Sequence, residues 1–192
     1  MQDLAHHILD IAENSVRAHA SLVVIRLQER PSEDLLRLEI IDNGEGMSEE
    51  MRRQVLSPFT TSRTERRVGL GLALLAQAAR EAGGDCRVES TPFHGTRIVA
   101  DFRLSHIDLK PIGDLGETML VLAVGHSDTD FALEIERGGG LRRFDTQEIR
   151  ASLGDAPLCS PTGLRVLRGH LGEVLGTRPT HPYGLKESPN AC

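Results

Sequence analysis

Ile40-Ile41-Asp42-Asn43-Gly44-Glu45-Gly46-Met47 ends an apolar strand in a carboxylate and follows it with two glycines at alternate positions. The short apolar run over 38–41 has the character of a buried strand end. Glycine is what a backbone needs where φ must be positive or where a ligand comes close. A strand end that delivers one fixed Asp beside such a loop suits a flat heterocycle. The carboxylate accepts from an exocyclic amine, and the glycine backbone lies against the ring. Asp-Asn-Gly by itself is an ordinary turn sequence, so the flanking segments have to decide between the two.

On the N-terminal side, Leu4, Ile8, Ile11, Ser15 and Ala18 recur at helical spacing, with Leu9, Ala12 and Val16 beside them. This predicts an amphipathic helix over 3–19. Asp10 and Asn14 are four apart and share a face, and Arg17 follows three residues later. Asparagine is a poor mid-helix residue because its side chain competes for backbone groups. The stripe Asp10, Asn14, Arg17 offers a base, a metal-binding carbonyl and a cation; a solvated polar face is the plainer alternative. His6 and His7 sit on the same helix and are taken as surface residues rather than phosphate acceptors. Residues 21–29 alternate as a strand, 30–34 form a turn, and 35–41 complete an antiparallel hairpin.

On the C-terminal side, Ser48-Glu49-Glu50-Met51 has the form of a capped helix start, and that helix should end before Pro58. Residues 57–68 lack periodicity and carry hydroxyls, Phe59, Arg63, Arg66 and Arg67, as a mobile loop would. Gly69-Leu70-Gly71-Leu72 leads into a helix over 72–82, closed by Gly83-Gly84. Such a helix start presents free backbone N–H groups and the positive end of the dipole to a phosphate; a simple glycine turn is the alternative. Strands are expected at 85–90 and 95–104. Pro111 and neighbouring breakers suggest a linker over 106–116. Beyond it, strands at 117–124, 131–137 and 141–144 form a small meander. A helix capped by Asp145 and another over 162–175 follow. Residues 117–176 are thus expected to be a small α+β interaction or dimerisation domain, and 177–192 a disordered tail. His126, Asp128 and Asp130 are taken as a polar connecting loop rather than metal ligands.

The 192 residues suffice for one full domain and a small second one. Hydrophobic residues make up 39% and charged ones 26%, the balance of a soluble globule. No apolar run approaches the ~20 residues that a membrane helix needs, and the N-terminus lacks the pattern of a signal peptide. Cys86, Cys159 and Cys192 match neither a disulfide framework nor a metal spacing, which fits a reducing cytoplasm. A net charge of -6, no basic run and 3% aromatic residues argue against a nucleic-acid partner.

Four separated motifs stand in one order: Glu13-Asn14-Ser15-Val16-Arg17, then Asp42-Asn43-Gly44-Glu45-Gly46, then Pro58-Phe59-Thr60-Thr61 leading to Gly69-Leu70-Gly71-Leu72, then Gly95-Thr96. Over residues 1–105 this resembles the ATP-binding domain shared by gyrase, Hsp90, histidine kinases and MutL. The resemblance implies an α+β fold of the Bergerat type: a two-layer sandwich of a mixed, mainly antiparallel sheet with helices on one face. It implies ATP and Mg²⁺ as cofactors. Asn14 corresponds to the Mg²⁺-binding asparagine, Asp42 to the adenine-binding aspartate, and Gly44, Gly46 and Met47 to the loop beside the base. Phe59 corresponds to the phenylalanine before the ATP lid, Gly69, Leu70, Gly71 and Leu72 to the junction of lid and phosphate helix, and Thr96 to the threonine supporting adenine recognition. Arg17 takes the place of a usual Lys. Arg67 replaces the first lid glycine and, with Arg63, adds cations toward phosphate. Asp10 stands where hydrolysing relatives place a Glu, as the catalytic base.

The spelling is nearest to histidine kinases, although Glu13-Asn14-Ser15 and Ala18-His19-Ala20 look like MutL. The kinase layout places a helical phospho-acceptor domain before the asparagine box, and this sequence starts at that box, so the module is expected to be absent. The expected function is Mg-ATP-dependent phosphate transfer to a protein partner in bacterial signalling, with a homodimer possible. An ATP-switched regulatory module like the anti-sigma factors, with slow ATPase or Ser-kinase activity, and a MutL-like ATPase are the alternatives.

Overall fold

A computed structural model describes residues 3–55 and 70–176. Phe59, Arg63, Arg67 and Gly69, the loop around them and the segment 177–192 lie outside the described residues. Among the described residues the order is α1 (Leu4–Arg17), β1 (Leu22–Arg30), β2 (Leu35–Asp42), α2 (Glu49–Val55), α3 (Leu70–Glu81), β3 (Asp85–Ser90), β4 (Thr96–Arg103), α4 (Leu115–Gly125), β5 (Asp130–Arg137), β6 (Gly140–Asp145), α5 (Thr146–Leu153) and α6 (Pro161–Leu175). The strands make one sheet in the order β3-β4-β2-β1-β5-β6. All neighbours are antiparallel except β1 and β5. This is the expected α+β architecture.

Alternation builds the two faces. Val23, Ile25 and Leu27 of β1 and Leu36, Leu38 and Ile40 of β2 point to the helix layer and are buried. Leu4, Ile8 and Ile11 of α1 meet them in the same core. Asp3 caps α1 by accepting from the His6 amide at 3.0 Å. On the opposite face charges alternate across the strands. Arg97 of β4 pairs with Glu89 of β3 and Glu39 of β2; Arg26 of β1 pairs with Glu39 and with Glu134 of β5; Arg143 of β6 pairs with Glu134 and Asp145. Glu89 and Glu39 together push the Arg97 guanidinium above its ordinary value.

The second half departs from expectation. Residues 117–124 are helical, inside α4, not a strand. An apolar run without clear period cannot tell a strand from a buried helix. Here Asp114 caps the run, accepting from the Glu117 amide at 2.8 Å. The helix is covered from several sides, by α1, α6 and β5, so its apolar residues show no single stripe. With that strand gone there is no separate meander. β5 lies parallel against β1, from Leu22 opposite Asp130 to Gln28 opposite Glu136, and β6 extends the same sheet. Phe131, Leu133 and Phe144 share one hydrophobic cluster with α1. The stretch expected as a linker is also tied down: the amides of Leu4 and Ala5 donate to the carbonyls of Pro111 and Ile112 at 3.0 and 2.8 Å. Both expected helices of this half are present, α5 with Asp145 as its cap and α6 capped by Ser160. No helix among the described residues is long and apolar enough to cross a membrane.

Candidate functional site

The buried stripes of α1 and β2 both end in a polar residue, and the two residues meet. Ser15 continues the line Leu4, Ile8, Ile11, and Asp42 continues Leu36, Leu38, Ile40. Asp42 is only 9% exposed. Its Oδ2 accepts from Ser15 Oγ at 2.7 Å, and its Oδ1 from the amides of Gly44 at 3.0 Å and Thr96 at 3.1 Å. Three donors from α1, the loop and β4 hold the carboxylate in one orientation. Each oxygen offers two acceptor positions, and among the described residues Oδ2 has one protein partner, so a donor on a flat ring can be accepted.

The loop that follows is fixed by close backbone approach. Asn43 Oδ1 accepts from the amides of Ser21 and Leu22 at 2.9 and 3.0 Å, which fastens the loop to the start of β1. The Glu45 amide donates to the Ala18 carbonyl at 2.8 Å. Gly46 has φ +67°, and a Cβ there would lie 2.1 Å from the Thr91 carbonyl oxygen. Only glycine fits that conformation and that distance. The Met47 amide donates to Ser90 Oγ at 2.8 Å; Ser90 Oγ in turn donates to the Gly95 carbonyl at 2.9 Å and sits 3.0 Å from Thr96 Oγ1. Gly44, Gly46, Met47 and Thr96 are therefore gathered around Asp42. Ser15 and Ser90 complete the cluster and were not singled out from sequence. The one available signal was Ser15 itself, a hydroxyl at the end of an apolar helical stripe; Ser90 carried none, because β3 and β4 bring it to the site.

Asn14, Arg17 and Asp10 lie along the neighbouring face of α1. Arg17 Nη1 donates to Asn14 Oδ1 at 2.7 Å. Asp10 is exposed and adjoins the start of α3, where a Cβ at Gly71 would come within 2.9 Å of the Asp10 Cβ. Glycine at that position is what lets the α3 N-terminus approach the acid. Leu72 is buried behind it, and Leu70 is the first residue of α3. The side-chain carbonyl oxygen of Asn14 is a hard donor of the kind Mg²⁺ takes, which fits the metal the resemblance implies.

One histidine needs correction. His7 is buried, not on the surface, because it lies at the edge of the arc that Leu4, Ile8 and Ile11 press into the core. Among the described residues its Nδ1 has no hydrogen-bond partner, and burial holds its pKa below the ordinary value against the opposing pull of Asp10 and Asp3. His126 and Asp128 lie in the connection between α4 and β5, as expected, and Asp130 is the first residue of β5. His126 Nε2 donates to Glu13 Oε1 at 2.8 Å, bridging α4 to α1. Among the described residues no cluster of His, Cys, Asp and Glu is arranged to hold a metal by itself.

A strand-end carboxylate thus lies under the helix layer, with the Asn14 stripe beside it and the start of α3 adjoining Asp10. Residues 2–106, more than half of the chain, match the family described as histidine kinase-, DNA gyrase B-, and HSP90-like ATPase, and the chain belongs to that family. Among curated relatives, it is 41% identical over 63 residues to the nitrogen regulation protein NtrY of Azorhizobium caulinodans, covering 33% of this chain and 8% of that one. It is 35% identical over 88 residues to the sensor-type histidine kinase PrrB of Mycobacterium tuberculosis, covering 45% and 20%. It is 35% identical over 68 residues to sporulation kinase D of Bacillus subtilis, covering 35% and 13%. The chain thus spans a fifth or less of each of these relatives. A solved structure, the N-terminal domain of a DNA repair protein, superposes with a TM-score of 0.53 at 14% identity, covering 82% of this chain and 59% of that one. That likeness concerns the fold alone, and it extends past the residues of the family match.

Proposed function

We infer that this protein binds Mg-ATP at the Asp42 site and transfers or releases the γ-phosphoryl group under the control of a protein partner. The observation that carries this is the orientation of Asp42 by Ser15, Gly44 and Thr96, which leaves a buried acceptor at the end of β2. Asp42 accepts from the adenine amine, and the Gly44–Met47 backbone borders the ring. Asn14 holds Mg²⁺, which when bound neutralises charge on the phosphates. Arg17 supplies a cation beside Asn14. The α3 N-terminus, from Leu70 to Leu72, presents its amides to the phosphates.

Asp10 accepts the proton of the attacking oxygen, from water or from an acceptor side chain, as that oxygen bonds to the γ-phosphorus and the bond to ADP breaks. Two of these relatives are a sporulation kinase and a sensor-type histidine kinase by name, which favours transfer to a partner protein in signalling. Use of ATP state as a switch on a partner is the second reading. It is supported by the bridge from α4 to α1 beside the site. Radiolabelled ATP with partner-containing extract separates the two: label on protein means transfer, and phosphate release alone means a switch.

Titration of wild type and Asp42→Asn with ATP and with GTP tests the site itself. The variant keeps the shape and turns an acceptor toward donation. We expect it to lose ATP affinity by about 1–3 kcal/mol, while wild type prefers ATP to GTP. Equal ATP affinity of the two proteins would remove the adenine assignment.

A further inference from the structure

Glu13 directly precedes Asn14 on α1, yet its partner lies on another helix. His126 Nε2, at the C-terminal end of α4, donates to Glu13 Oε1 at 2.8 Å, and the two side chains are 25% and 32% exposed. The segment that carries His126 is anchored. Thr129 Oγ1 donates to the Ala20 carbonyl and the Asp130 amide to the Ser21 carbonyl, both at 2.9 Å. The imidazole ring lies 6.3 Å from the ring of Phe131, itself fully buried.

The ordinary helical partner of Glu13 would be Arg17, four residues on, in the favourable order of acid before base. Arg17 instead donates to Asn14 Oδ1 at 2.7 Å. Viewed down the helix axis, Arg17 falls between the two, about 40° from Glu13 and about 60° from Asn14. One guanidinium can therefore serve either neighbour. With Glu13 taken by His126, the guanidinium rests on Asn14, and the oxygen it occupies is the one assigned to Mg²⁺.

We propose that His126 is a positioning residue for the nucleotide site: by holding Glu13 it keeps Arg17 on the Asn14 carbonyl, and so sets how readily that carbonyl is released to Mg²⁺. This rests on the Mg-ATP reading above. Movement of α4 away from α1 frees Glu13, Glu13 draws Arg17 across, and the Asn14 oxygen becomes available. The half of the chain beyond the family match thereby tunes the metal site without touching nucleotide.

Mn²⁺ binding in the presence of ATP, followed by electron paramagnetic resonance on the full chain, reads this directly. ATP binding in EDTA serves as the control. His126→Ala should bind Mn²⁺ about three- to tenfold tighter, the scale of one ordinary hydrogen bond, with metal-free ATP affinity unchanged. His126→Gln, whose amide still donates to Glu13, should restore the wild-type value. His126→Phe, which keeps a ring beside Phe131 and lacks the donor, should repeat the alanine result and serves if the alanine variant does not fold. In a Glu13→Gln background the neutral side chain does not draw Arg17 across, so His126→Ala should have no effect there. That non-additivity is the signature of coupling. Unchanged or weaker Mn²⁺ binding in both His126→Ala and His126→Phe, or an effect that persists with Glu13→Gln, overturns the inference while leaving ATP binding intact. Absence of ATP binding by wild type, with or without metal, overturns the functional reading and this inference together.

Discussion

Asp42 serves as both a structural knot and the proposed reader of the base, and the glycines around it are constrained to match. The tightest is Gly46. Its φ of +67° and the 2.1 Å from its would-be Cβ to the Thr91 oxygen mean that Gly46→Ala must push the β3–β4 turn away. We expect a loss of about 1–3 kcal/mol in urea denaturation, the usual cost of a strained backbone site, together with weaker nucleotide binding. A wild-type midpoint would show that the turn relaxes freely.

His7 gives a residue-level prediction in pH. Its folded pKa lies below the ordinary 6.5, first because of burial. The unfolded chain therefore takes up a proton that the folded chain refuses. Stability should be greatest above the unfolded pKa and fall as pH drops from there toward the folded value. His7→Leu should flatten the difference between urea midpoints at pH 7.5 and pH 5.5. An equally steep loss in that variant would assign the slope to other groups.

At the scale of elements, α1 concentrates the chemistry. One face buries Leu4, Ile8 and Ile11 and delivers Ser15 to Asp42; the adjoining face carries Asp10, Asn14 and Arg17. Because both faces belong to one rigid helix, packing against β1 and β2 sets the distance from the base-binding end to the phosphate end. Asp10 is set against the start of α3 at Gly71, where a γ-phosphate would lie in the proposed complex. Asp10→Asn keeps the size and removes the basicity. It should bind Mg-ATP normally and turn it over ~10²–10⁴-fold more slowly, the usual contribution of a general base. Unchanged turnover in a preparation with normal binding would leave Asp10 as surface charge.

At the scale of the whole molecule, the sheet runs through the boundary of the family match. β1 is paired on both sides, by β2 and by β5. Met119 and Leu122 of α4, with Phe131, Leu133 and Phe144, are at most 1% exposed in the core shared with α1. A fragment of residues 1–105 would expose an open edge on β1 and an apolar surface on α1. We expect it to lose cooperative thermal unfolding and to bind a hydrophobic dye. A sharp, wild-type-like transition in the fragment would show that the N-terminal half is self-sufficient. Across the outer face the arginines stay 40–47% exposed while Glu39 and Asp145 are buried beneath them, so removing an arginine would leave a buried carboxylate unpaired.

Local pattern alone determined much of this protein. The period of α1, the alternation of β1 and β2, the caps at Ser48 and Asp145, and the motifs around Asn14, Asp42 and Thr96 were legible because each depends on residues within a few positions of one another. The tertiary structure decided what depends on neighbours distant in sequence. Whether 117–124 is strand or helix turned on what covers it, since an apolar run buried on several sides carries no period to read. That β5 joins β1, over a hundred residues earlier, is a pairing whose register no local signal encodes. Ser15 and Ser90 around Asp42, the burial of His7, and the His126–Glu13 bridge are likewise contacts between separate elements. Each is invisible until the sheet and the helix layer bring those elements together.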